Sequence, residues 1–373
     1  MDHRRTDIPA LDLAPELAEV ASDLEAALRR VIASGHFILG PEVDEFEREV
    51  SAYLGVKHAI GVNSGTDALV LALRALGVGP SDEVITTPFT FFATAESISS
   101  VGALPVFVDI DIESFNIRPD LVERAISERT RAILPVHLFG APADIAALGS
   151  IARRHKIALV EDAAQAFGAL DQDRHVGTFG VFGAYSFFPS KNLGCLGDGG
   201  LLSTDDDDLA AHVRALRAHG ARKKYFNEFV GYNSRLDALQ AAFLRAKLPH
   251  VDEWNEARRK AASRYCVQLR GTPGILLPPE RRGTQHVFHQ FTIRVTGGRR
   301  DALREYLARR GIATMVYYPT PLHRLPVYAG AEARCPAAEL ASTEVLSLPL
   351  WPRITEDLQS RIVSEIREFC GAH

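Results

Sequence analysis

The chain has 373 residues, 46% of them apolar and 24% charged, with a formal net charge of -5. That length exceeds the size at which one hydrophobic core usually stops growing, so about two domains are expected, and the small negative charge without a long basic block argues against a nucleic-acid partner. The four scattered cysteines, Cys195, Cys266, Cys335 and Cys370, form no C-x-x-C pair, which speaks against a zinc site and for a reducing cytoplasm, while the lack of an apolar signal core or a run of about 18 apolar residues predicts no entry into a membrane.

Short β-branched runs alternate with helical patterns through the first 200 residues. The strands predicted are 59–62, 83–87, 104–110, 132–138 and 157–162, and between them segments such as DALVLALRAL (67–76), LVERAI (121–126) and DIAALGSIARRH (144–155) place apolar residues three and four apart. This is the pattern of parallel strands joined by helices. Two further strands, 184–188 and 199–204, flank a loop that holds Lys191, and the acidic run 205–208 reads as the start of a helix. Beyond residue 250 the character changes: a charged helix (251–270), a Gly/Pro-rich break, a strand (FHQFTIRV), a helix (RDALREYLARRG) and a strand (IATMVYY). The expected domains are therefore a large one over 1–250 and a smaller α+β one over 251–373.

Four local patterns carry chemistry. In NSGTDALVLAL (63–73) a strand ends, a small flexible pair follows and a helix begins at about Thr66, so exposed N–H groups and Gly65 could receive an anion; an ordinary cap by Ser64 or Thr66 is the alternative. In LVEDAAQAFGA (159–169) Asp162 falls at the carboxyl end of an apolar strand, where open α/β sheets build ligand sites. Lys191 sits between Pro189 and Gly194, in surroundings too rigid and apolar for a solvated tether. In GYNSRLDALQAAFL (231–244) Asn233 and Arg235 precede a helix, and capping by Asn233 or Ser234 would also explain them. One chemistry unites the four: a phosphate-bearing aldehyde cofactor needs a helix N-terminus for its phosphate, a lysine for its aldehyde and a carboxylate for its ring nitrogen. That cofactor is pyridoxal phosphate.

With GHFILGPEVDEFE, SGTDAL, DEVITTPFTFFATAE, VFVDID, VEDAAQAFGA, SFFPSK, GDGG, NSRLDALQAA and YYPTPLH in this order, the chain resembles the DegT/DnrJ/StrS family of sugar-nucleotide aminotransferases over nearly its whole length. The resemblance implies an α/β, fold type I pyridoxal phosphate transferase, whose large domain has a mainly parallel seven-stranded sheet flanked by helices. It implies that Lys191 bonds the cofactor as an imine and later moves the proton, and that Asp162 pairs with the ring nitrogen. Gln165 would approach the ring hydroxyl, Phe91 would cover the ring, and Gly65, Thr66 and Ser186 would contact the phosphate. Asn233 would reach that phosphate from the neighbouring subunit, giving a homodimer with active sites at the interface. Arg235, Tyr317, Tyr318 and His323 become candidates for substrate contact, although relatives often carry histidine where this chain has Tyr317. Asp67 resembles the subgroup that aminates at sugar carbon 3 rather than carbon 4. The implied substrates are L-glutamate and a UDP- or dTDP-linked keto-sugar, and the product an amino sugar for a surface glycan or an antibiotic. Two other readings fare worse: the G-x-G-x-x-G turn of a nicotinamide oxidoreductase is missing, and family dehydratases replace the lysine by histidine. A non-catalytic sensor on the same fold would have no need of Lys191 and Asp162 together.

Overall fold

The computed structural model describes residues 8–371. Seven strands form the main sheet, in the spatial order His58–Val62, Gly200–Thr204, Phe182–Ser186, Ala158–Asp162, Thr130–Leu134, Glu83–Thr86 and Leu104–Phe107. All run parallel except Gly200–Thr204, which is antiparallel to both neighbours. Successive side chains of a strand point to opposite faces, and the cores divide accordingly. Val84, Leu134, Val160 and Leu202 join the cluster covered by the helix Gly65–Ala75. Their neighbours Ile85, Ile133 and Leu159 face the helix Ile145–His155 on the other side. Burial on both faces explains why these strands read as continuous apolar runs.

The predicted strand 132–138 spans Thr130–Leu134 instead. Pro135 has no N–H to give a ladder, and beyond it a single bridge of Val136 to Asp162 continues, with Asp162 N donating to Pro135 O at 2.9 Å and His137 N to Asp162 O at 3.0 Å. The acidic run does start a helix, Asp207–Leu216, with the Asp206 carboxylate capping the N–H groups of Asp208 and Leu209.

A second core gathers Tyr265, Leu269, Ile293, Leu303, Leu307 and Ile362 from the helices Val251–Leu269, Arg300–Arg309 and Glu356–Cys370 and from a small antiparallel sheet. That sheet is ordered Ile275–Leu276, Phe291–Val295, Val345–Leu348. The run 312–318 was expected to supply a strand but forms isolated bridges, Ile312 with Ile8 and Met315 with Ser347. Its last residues turn away to the cofactor cavity described below, and Val345–Leu348 takes the ladder position. The two cores are stitched together: Ile8 packs in the second one, and Trp254, at the start of Val251–Leu269, packs on Val20, Leu24 and Phe243. Further along that helix Arg258, 1% exposed, faces Glu16 at 3.7 Å. A hairpin, Ala221–Lys223 with Phe226–Asn227, projects outward with Tyr225 and Phe226 exposed.

Candidate active site

A cavity of about 380 Å³ opens at the carboxyl ends of the parallel strands. Ser64, Gly65, Thr66, Phe91, Asp162, Gln165, Ser186, Lys191, Tyr317 and Tyr318 all line it, so residues more than 250 positions apart in the sequence converge on one space. The turn into the helix Gly65–Ala75 forms one end. Ser64 caps it, its hydroxyl accepting from Asp67 N at 3.1 Å, and the helix starts one residue earlier than its sequence pattern suggests, at Gly65. Glycine is required there, since a Cβ on Gly65 would lie 2.7 Å from Cβ of Ser186. The first N–H groups of a helix have no intrahelical acceptor, and here they face a cavity with Ser186 beside them. That is a phosphate-sized anion cradle.

Asp162 ends the strand Ala158–Asp162 and is 5% exposed. Its two oxygens accept from Thr94 Oγ1 at 2.8 Å and from Ala164 N at 3.1 Å. Burial pushes its carboxyl up, while those hydrogen bonds and the Lys191 charge pull it down. A buried carboxylate with hydrogen bonds but no ion pair within 4.0 Å among the described residues is suited to a cationic ring nitrogen. The next residue back is committed elsewhere: Glu161 is fully buried and accepts from His137 and from the N–H groups of Gly177, Phe179 and Gly180.

The loop between Phe182–Ser186 and Gly200–Thr204 holds Lys191 by several bonds at once. Lys191 N donates to Phe188 O and Cys195 N to Phe187 O, both at 2.8 Å. Asn192 Nδ2 donates to Asn255 Oδ1 at 2.7 Å and to Val287 O at 3.0 Å, and Lys247 Nζ donates to Gly194 O. Gly194 passes so close to Pro189 that a Cβ would meet its carbonyl oxygen at 2.4 Å. The single basic side chain in that run is thereby presented to the cavity, and protein surrounds it elsewhere. Burial lowers its ammonium from the ordinary 10.5 to about 8, against the pull of Asp162.

Gln165 bridges the floor, its Oε1 accepting from Phe139 N at 2.7 Å and its Nε2 donating to the Tyr318 hydroxyl at 3.0 Å. Phe91 is 59% exposed at the mouth. Asn233 and Arg235 lie outside the cavity of their own chain. Asn233 is exposed beside the projecting hairpin, bridged to Ala218. His323 also lies apart: it is buried against Phe107, with Nε2 on Glu339 at 3.0 Å. Sequence reasoning missed Thr94, His289 and Gln290, which line the same cavity. Thr94 sits within a quoted motif, but only its reach to Asp162 reveals a role. His289 and Gln290 looked like part of a strand that starts at Phe291.

The anion cradle, the low-pKa amine and the unpaired carboxylate fit pyridoxal phosphate end to end, and on this fold they define a fold type I pyridoxal phosphate enzyme. The DegT/DnrJ/EryC1/StrS aminotransferase family model matches residues 19–367, and the chain belongs to that family. It is 50% identical to a pleiotropic regulatory protein of Geobacillus stearothermophilus, over 97% of this chain and 98% of the relative. It is 47% identical to the dTDP-3-amino-3,4,6-trideoxy-alpha-D-glucose transaminase of Streptomyces venezuelae, over 97% and 96%. With the UDP-N-acetyl-3-dehydro-alpha-D-glucosamine 3-aminotransferase of Acidithiobacillus ferrooxidans the identity is 45%, over 98% of each chain. Among solved structures, DesV of S. venezuelae in complex with a ketimine intermediate superposes with a TM-score of 0.95 at 47% identity, over 98% of this chain and 99% of that one. A Bacillus subtilis protein, NtdA with bound cofactor PMP, gives 0.90 at 34% identity, over 95% and 82%. The protein is a pyridoxal phosphate-dependent aminotransferase.

Proposed function

We propose that this aminotransferase moves the amino group of L-glutamate to carbon 3 of a UDP- or dTDP-linked keto-sugar. The observation that carries the reading is the convergence of Lys191, Asp162 and the Ser64–Thr66 turn on one cavity. Similarity to transaminases whose products or substrates bear nitrogen at carbon 3 supports the position of amination, as does Asp67 in SGTDAL. When bound, pyridoxal phosphate supplies an aldehyde that condenses with amines and a ring that accepts the electron pair released at the donor's α-carbon. Lys191 is the covalent anchor and, once displaced by the donor amine, the base: Nζ takes the α-proton and returns it. An amine that titrates near 8 is neutral often enough at pH 7 to do so. Asp162 would pair with the ring nitrogen and keep its proton in place. At about 4 Å and an effective dielectric near 20 such a pair is worth roughly 4 kcal/mol, more than the ~2 kcal/mol of a helix terminus on a phosphate. Thr94 and Ala164 N orient that carboxylate. Gly65, Thr66 and Ser186 would hold the phosphate, Gln165 the ring hydroxyl, and Phe91 would cover the ring face. Tyr317 and Tyr318 face the sugar, while the pairing of His323 with Glu339 favours a packing role for it.

The active unit is proposed to be a homodimer. Exposed Phe37, Ile38, Phe188 and Leu196, together with the hairpin bearing Tyr225 and Phe226, offer apolar surface for a partner, and Phe188 lines the cavity itself. Asn233 and Arg235, outside their own cavity, would serve the partner's phosphate and substrate. The proposed division into units at 1–250 and 251–373 draws support from the two main cores, while Ile8, Trp254 and a cluster of Phe89, Phe107 and Phe139 with Leu322, Tyr328 and Val345 pack across it. No helix among the described residues is long and apolar enough to cross a membrane, and four free thiols suit the cytoplasm. Incubation with glutamate and either 3-keto or 4-keto nucleotide sugars, followed by NMR of the product, tests the reading. Nitrogen at carbon 3 is expected, and amination at carbon 4 alone would overturn it.

A further inference from the structure

His289 precedes the strand Phe291–Val295 by two residues and lines the cavity with Lys191, Asp162, Tyr317 and Tyr318. It is 6% exposed, and its Nδ1 is buried without a hydrogen-bond partner. Two cations face it: Lys191 from the loop and, from the helix Val251–Leu269, Arg258, whose guanidinium nitrogens also make no hydrogen bond. Burial, with those two charges, holds the imidazole well below its ordinary titration range, so it stays neutral. A neutral imidazole always carries one acceptor nitrogen.

Two other acceptors that line the cavity with the amine already receive hydrogen bonds from protein. Both oxygens of Asp162 accept protein hydrogen bonds, and the Tyr318 hydroxyl accepts from Gln165. An amine that collects a proton and gives it back alternates between two N–H donors and three, in a space where an unsatisfied donor is costly.

We infer that His289 is a positioning residue for proton transfer: its unprotonated ring nitrogen accepts a hydrogen bond from Lys191 Nζ when that amine is free and aims the amine's lone pair at the donor's α-carbon. The α-proton passes to Nζ, the bonding pair stays behind with the carbon, and the ammonium, whose three protons exchange with solvent, later returns one of them; His289 gains and loses none. Burial, together with the charges of Lys191 and Arg258, keeps the imidazole from competing as a proton acceptor.

This inference rests on the assignment of Lys191 as the base, and the test separates the two. Holoenzyme carrying His289→Phe, which has no acceptor, or His289→Gln, which restores one, is given glutamate in deuterium oxide without any sugar. Two readouts are followed: deuterium entry at the glutamate α position, and the pH midpoint of the cofactor's visible absorbance before glutamate is added. His289→Phe should bind cofactor in full, exchange at least about tenfold more slowly at saturating glutamate with KM within about twofold, and show a displaced midpoint. His289→Gln should recover most of the rate and the midpoint. Wild-type exchange and an unmoved midpoint in His289→Phe would overturn the inference, as would a glutamine variant as slow as the phenylalanine one. Absence of exchange in the wild type would instead defeat the assignment of Lys191.

Discussion

An ammonium set in the wall of a cavity and partly buried loses much of its hydration, and Lys191 bears that cost. Its folded value of about 8, against 10.5 ordinarily, fixes the sign of two pH effects. Between those values the unfolded chain holds the proton and the folded chain does not, so stability of the cofactor-free protein rises with pH across that window and the full penalty applies below it. Lys191→Met should therefore stabilise the cofactor-free protein at pH 7 by on the order of 2–3 kcal/mol, with no gain left near pH 10.5, as read by chemical denaturation at each pH. Capture of added pyridoxal phosphate needs the neutral amine, so its rate should climb through pH 7 and level off above about 8. In Lys191→Ala the absorbance of the lysine-bound cofactor and the transamination should both vanish; an intact spectrum with full turnover would refute the role. Asp162→Asn keeps the shape of the site but removes the charge opposite the ring nitrogen. Cofactor should still bind, and turnover should fall by about a thousandfold, since roughly 4 kcal/mol of ion pairing corresponds to that factor.

At the scale of elements, the turn at Ser64–Thr66 is the proposed grip on the cofactor phosphate. Gly65→Ala would drive a methyl into Ser186, forcing the helix start away from the strand, and cofactor affinity in equilibrium titration should drop by about tenfold or more. A wild-type dissociation constant would show that the turn does not grip the phosphate. Much of this architecture could be read beforehand. Strands buried on both faces announce themselves as apolar runs, and the Lys191 loop stands out because proline and glycines crowd one charge. Other parts could not. The run 312–318 has the composition of a strand, yet Tyr317 and Tyr318 are spent on the cavity rather than on a ladder. Thr94 and His289 carry no local signature, because their meaning lies in what they meet across the fold: a carboxylate 68 positions away for one, a lysine on another segment for the other. His323 sits in a motif full of site residues but points to Glu339, a partner that no spacing rule anticipates.

At the scale of the whole molecule, the proposed homodimer, in which each site is completed by a neighbour, makes a prediction that no single chain can. Lys191→Ala and Asn233→Ala proteins, each defective alone, should regain activity when unfolded and refolded together. Random pairing leaves one intact site in about half of the dimers, so about a quarter of the wild-type rate is expected; no recovery would place Asn233 in its own protomer's chemistry or in none. The buried pair between Glu16 and Arg258 extends this interdependence to the start of the chain. Glu16 belongs to the helix Ala14–Glu19, far in sequence from anything that touches the coenzyme, yet it supplies the countercharge for a guanidinium sealed under the catalytic floor. Stripping off that leading helix would strand a positive charge in the interior, at a cost of about 3–5 kcal/mol by comparison with other broken buried pairs. What looks like a dispensable leader is thus a foundation, and a trimmed enzyme should melt earlier and shed its coenzyme sooner than the full chain.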